Sequence, residues 1–278
     1  MGANLNIGFY EHTYFYFDMP VKYKIADKEL IIYPITVKDS EIFLSSVPIL
    51  NVDKNSIPSV EIIQMSYMEF MYKELFKENV NIDRMALIAK YCLHMESPFV
   101  GFDRDKKPYL EDRKLGIKIN SKQFEDIRRI ILYQNLIHYD DEYINPEIKQ
   151  MMVEVDNVKN AGIDSPTIER RIAIITAHCG ISKKEQLEMT YRSHCLLFEE
   201  VYGEVEFTTV RPIMLYAGKG GEIDHWIYKK KKDKFDGYTV DTEKYVSSMG
   251  GNKDTIKSTS DTNLGDTLSQ QYNEFMNK

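Results

Sequence analysis

Apolar and polar positions alternate most clearly near the start of the chain. Val21, Tyr23 and Ile25 are interleaved with Lys22 and Lys24. A period of two is that of a half-buried strand. VKYKIADKELIIYPITV (21–37) therefore reads as strand, turn, strand, with Ala26-Asp27-Lys28 at the turn. Pro34 ends the second strand or confines it to a sheet edge. The aromatic-rich FYEHTYFYFDMP (9–20) is also β-like, so residues 1–37 are expected to form a small N-terminal β region.

The period then lengthens to that of a helix. Residues 38–50 predict one short helix that Pro48 disrupts. Residues 57–78 are the longest helical candidate, with Pro58 near the start, where a missing N–H costs little. Over 82–95, Met85, Leu87, Ile88, Tyr91, Cys92 and Met95 form an apolar stripe. PFVGF, DRDKKP and a run ending in LGIKI predict a hairpin over 98–119. Ser121 is placed to cap a helix reaching Asn135, with Phe124, Ile127, Ile130, Ile131 and Gln134 at helical spacing. Asn145-Pro146 opens a helix to about Lys159, and Ser165-Pro166 repeats the device before TIERRIAIITAHC. Ser182 and Glu185 form a capping box before a helix that Gly203 is expected to stop near Tyr202.

The pattern fades after Gly218. AGKGG is a joint, and residues 218–246 carry the single Trp and a lysine run. Residues 247–278 are rich in Ser, Thr, Asn, Asp and Gly, too polar to offset the entropy of ordering. Within them Leu268, Tyr272, Phe275 and Met276 fall at helical spacing, which suits docking to a partner groove. The simpler account is a solvated tail without a role. The expected fold is α+β and predominantly helical. A small N-terminal β region and a β-hairpin pack on a helical body (38–217), followed by an extended C-terminal arm.

Composition changes this picture only in part. The 278 residues suffice for one large or two small domains with a real core, and 43% hydrophobic with 28% charged residues is ordinary for a globular protein. A net charge of −7 disfavours a duplex-DNA binder, which needs a basic face. Three cysteines do not build a disulfide framework, so a reducing compartment is expected. The first residues lack a signal-peptide pattern, and no apolar stretch approaches the length of a membrane span. Eight alanines are few for the length, a bias that fits a low-GC coding genome.

Candidate chemistry is sparse. Each cysteine adjoins a histidine: Cys92 with His94, His178 with Cys179, and His194 with Cys195. Convergence of these clusters would give a zinc site, although no paired-ligand spacing occurs. A Cys/His nucleophile is the other chemical reading, and core packing is the plain one. DRDKKP lacks the glycine and glutamate of a calcium loop and reads as a charged turn, and GKGG lacks the spacing of a phosphate loop. Trp226 and Tyr228 beside Lys229 and Lys230, within the basic 226–235 segment, could hold single-stranded nucleic acid, or could simply be a solvated helix end. Arg128, Arg129, Gln134 and Asn135 close an apolar helix and suit buried hydrogen bonds.

Three stretches carry a resemblance: ELIIYPITVKD with the helical run after it (29–70), KINSKQFEDIRRIILYQN (118–135), and ERRIAIITAHCGISKKEQLEMT to Gly203 (169–203). This order is similar to tail assembly chaperones and baseplate hub assembly proteins of tailed bacteriophages that infect low-GC bacteria. The resemblance covers about half of the chain and lies in core patterns, so it carries over no catalytic, cofactor-binding or metal residue. It implies a non-enzymatic protein that binds other tail or baseplate proteins, the tape measure protein among them, and that can oligomerise. Its place would be the host cytoplasm or the assembled virion tail. The expected partner-binding residues are Trp226, Tyr228, Lys229, Lys230, Leu268, Tyr272, Phe275 and Met276. The Met-rich segments (Met65, Met68, Met71 and Met85) would add adaptable apolar surface if exposed. A Cys/His enzyme, with or without zinc, and a nucleic-acid adaptor remain the alternatives.

Overall fold

The chain enters the fold as a helix, α1 (Ile7–Thr13), where the aromatic run suggested strand. Asn6 caps it by accepting from the Phe9 amide. The aromatics are spaced for a helix: Tyr10 stacks on Tyr14 with ring centres 5.9 Å apart, and His12 meets Tyr16 edge-on at 5.0 Å. A computed structural model describes residues 5–162 and 164–219, with Trp226, Ile227 and Tyr238. Among these the fold is α+β and predominantly helical.

Strands β1 (Val21–Ile25) and β2 (Lys28–Ile32) pair antiparallel, with Ile25 opposite Lys28. The turn is therefore only Ala26-Asp27, with Ala26 at φ 50, and Lys28 already belongs to the strand. Helix α2 (Ser40–Ser46) passes into a 3-10 turn at Val47–Leu50, where Pro48 sits near the start. The expected long helix over 57–78 is broken into α3 (Val60–Gln64), α4 (Tyr67–Lys73) and a 3-10 turn at Leu75–Lys77. The cause is Ser66, which forms a complete capping box with Glu69 and restarts the helix. Helix α5 (Asn79–Leu93) buries Met85, Ile88 and Cys92. Met68 and Met71 are buried too, so three of the four singled-out methionines are core rather than surface.

The expected hairpin over 98–119 is a three-stranded meander of β3 (Pro98–Phe102), β4 (Pro108–Asp112) and β5 (Ile117–Asn120). DRDKKP is the charged turn the sequence suggested, with the Asp103 carboxylate accepting from the amides of Asp105 and Lys107. A second turn, held by Asp112 through the amides of Lys114 and Leu115, sends LGIKI back as its own strand. Helix α6 (Ser121–Asn135) is capped by Asn120, one residue before the expected Ser121. Ile127, Ile130 and Leu132 of α6 are wholly buried and form the centre of the core, against α4 and both sheets.

Helix α7 (Pro146–Lys159) starts on Asn145-Pro146 as expected. Helix α8 (Ile168–Cys179) is capped by Thr167 rather than Ser165, because Thr167 reaches the Arg170 amide. The Ser182–Glu185 box opens only the short α9 (Lys183–Glu188). Thr190 then caps α10 (Tyr191–Tyr216), the longest helix at 26 residues, and Gly203 lies inside it rather than at its end.

The three stretches that carry the resemblance meet at one place. The Ile35 amide donates to Asn135 Oδ1 at 2.8 Å, and the Tyr191 amide donates to the Ile35 carbonyl at 2.7 Å. Val37 donates to the Met189 carbonyl, and Thr36 bridges Thr190. Asp18 accepts from the hydroxyls of Thr190 and Ser193. YPITV thus locks the end of α6 to the α9–α10 junction and sets the direction in which α10 leaves the body.

Candidate functional site

Downstream of that lock, α10 runs out of core to cover. Tyr191, His194, Cys195 and Val201 are buried, and no later residue of the helix is. The distal 15 residues, about 22 Å long at 1.5 Å per residue, leave Val205, Val210, Ile213, Leu215 and Tyr216 exposed. Tyr216 is 94% exposed.

Helix α7 is placed in a similar way. It buries no residue. Ile148, Met151, Val155 and Val158 recur at spacings of three and four, the seam of a helix that packs against another. Met151 is 60% and Val158 77% exposed. Polar contacts tether the helix instead. Lys149 meets Asp53 at 2.8 Å, and Tyr238 donates to the Asp156 carboxylate at 2.7 Å while its ring lies under Lys159. Burial disfavours the Asp53 carboxylate, but the Lys149 contact and the amides of Asn55 and Ser56 together outweigh it and hold its pKa below the usual range.

Beside that tether lies a polar cleft of about 590 Å³ between residues 51–55, α4, α6 and residues 139–143. Its inner cations are already committed. Arg128 donates to the Leu50 carbonyl and to Glu125, and its guanidinium lies 4.2 Å from the Tyr67 ring. Lys54 donates to the Ile63 carbonyl at 2.6 Å. These bonds brace the wall and do not aim at a common point in the cleft.

The Cys/His pairs do not converge. Cys92 is buried on α5, and His94 ends that helix stacked on Tyr33 at 3.8 Å. His178 pairs with Glu204 beside the exposed Cys179. His194 is fully buried and bonds Gln186, while Cys195 lies 3.7 Å from an Arg171 nitrogen. Burial raises the thiol pKa of both Cys92 and Cys195, the opposite of what a nucleophile needs. Among the described residues no group of three or more His, Cys, Asp or Glu is arranged to hold a metal.

Of the expected partner-binding residues, Trp226 is half-buried, 3.9 Å from where a Cβ on Gly203 would stand. Tyr228, Lys229, Lys230, Leu268, Tyr272, Phe275 and Met276 lie outside the described residues, as does the rest of the lysine run. The α7 seam was not among the expected residues. Its signal was present in the spacing of residues 148, 151, 155 and 158, behind the stronger capping signal of Asn145-Pro146. Among the described residues no helix is long and apolar enough to cross a membrane. No family model, curated protein or solved structure matches the chain.

Proposed function

We propose that this chain is a non-enzymatic assembly protein that acts by binding other proteins, in the class of bacteriophage tail and baseplate assembly factors. Protein binding rests on one observation above all: the seam of α7 keeps apolar side chains in solvent at helical spacing, and the distal half of α10 leaves several more exposed. Apolar rows of that kind are characteristic of binding surfaces. The tail-protein class rests on the YPITV, QN and MT stretches. Their meeting at a single hydrogen-bonded junction makes them the device that orients α10.

The partners proposed are tail or baseplate proteins, including the tape measure protein, in the host cytoplasm or the assembled tail. Co-expression with those proteins followed by affinity capture should recover at least one of them. Met151→Glu combined with Val158→Glu should cut recovery about tenfold without moving the melting temperature, since both side chains are exposed. Recovery of a clean monomer alone, or capture indifferent to the double substitution, overturns the reading.

A further inference from the structure

A second surface, sharing no residue with α7 or α10, lies beside α4 and α5. The sheet order is β3–β4–β5, so β3 is an edge strand. No backbone group among the described residues pairs with residues 98–102 except those of β4. A strand paired on one side leaves about half its amides and carbonyls pointing outward. Beside β3, between it and α5, runs a groove of about 550 Å³. Phe76, Ile82, Met85, Val100 and Leu110 supply apolar lining, and Tyr72 stands at one end, edge-on to Phe102 at 4.6 Å. The charged side chains that line it are Lys73 and Lys77, with no carboxylate among the lining residues. Both lysines are more than half exposed, and their partners Glu61 and Glu74 form only surface pairs, which exchange readily.

These features select one kind of occupant. The outward backbone of β3 rewards an extended chain, because a helix has already satisfied its own amides and carbonyls. The apolar walls accept alternate side chains of such a chain, and the lysine rim favours acidic residues between them. We propose that β3 and this groove bind an extended peptide of a partner protein, alternating apolar and acidic residues, which adds as a fourth strand to the β3–β5 sheet.

The test uses the full chain and a fluorescein-labelled peptide, Glu-Val-Glu-Val-Glu-Val-Glu, with anisotropy as readout. Saturable binding is expected. Methylating alternate peptide nitrogens should weaken it about tenfold or more, because strand pairing needs those N–H groups. Lys73→Glu with Lys77→Glu should weaken it to a similar degree, and replacing each peptide Glu by Lys should abolish it. Ala86→Trp, which fills the groove from an exposed position on α5, should block it. Amide exchange on the unmodified protein gives an independent measure, with new protection expected within Phe99–Phe102 on adding peptide. Absence of binding at about 1 mM peptide, the scale of a contact worth only about 4 kcal/mol, overturns the proposal. So does equal binding of the methylated peptide, which would mark an apolar pocket indifferent to strand pairing, or unchanged exchange in β3. None of these outcomes bears on α7 or α10, so the assembly reading stands or falls separately.

Discussion

Asn135 takes the place of a strand neighbour for the Ile35 amide, and its own amide group donates back to the Ile131 carbonyl. Both of its groups are buried and satisfied, so Asn135→Ala should cost about 2 kcal/mol by leaving the Ile35 amide unpaired. The denaturant midpoint should fall with an unchanged m-value. His194 gives a pH signature. Burial first and the Arg171 charge second hold its pKa below the ordinary histidine value. The other group facing its ring is Gln186, which can accept from Nε2. The folded protein therefore binds the proton less readily than the unfolded chain does. Its contribution to stability is complete above about pH 6.5, the unfolded value, and declines as pH falls from there toward the depressed folded value. The midpoint measured between about pH 7 and pH 5 should slope less in His194→Gln than in the parent; equal slopes would refute this role. Thiol labelling should find Cys179 alone reactive in the native protein, since Cys92 and Cys195 are buried. The neighbourhood of each cysteine was legible in sequence, but whether a thiol was buried was not, because burial belongs to contacts between distant segments.

At the scale of elements, caps were read best where the cap lies next to its helix. Asn145-Pro146 performed as read, and Ser182–Glu185 forms its expected box, although the helix it opens ends at Glu188. Ser66–Glu69 divided a helix whose apolar pattern had looked continuous, because a capping box satisfies two amides locally and competes with propagation. Gly203 shows the opposite error. It reads as a stop, yet its φ is not in the left-handed region and helix α10 continues for 13 residues, to Tyr216. A glycine in helical backbone costs only about 1 kcal/mol, so the helix propagates through it. A Cβ at 203 would meet Trp226 at 3.9 Å, an ordinary contact. Gly203→Ala should therefore stabilise the protein by about 0.5–1 kcal/mol through lower backbone entropy in the unfolded chain. A lower melting temperature on this substitution would show that the helix is not continuous there.

For the molecule as a whole, the lysine run had left room for an electrostatic partner despite the −7 net charge. The exposed α7 seam and distal α10 are apolar, and attraction between apolar surfaces survives screening. Capture of a protein partner should persist at about 0.5 M salt, where charges are screened within roughly 4 Å. Binding through Lys229–Lys232 to nucleic acid would fall steeply over the same range. The sequence by itself determined what depends on neighbours in the chain: the β1–β2 alternation, the helical period of α5 and α6, the caps at Asn145 and Ser182, and the apolar spacing of α7. Only the tertiary structure decided that YPITV touches the end of α6 and the α9–α10 junction, that three candidate surface methionines are core, that the Cys/His pairs stay apart, and that β3 pairs with β4 alone among the described residues, beside a groove. Each of those facts depends on which distant segments pack together, and one-dimensional periodicity marks an apolar face without naming what covers it.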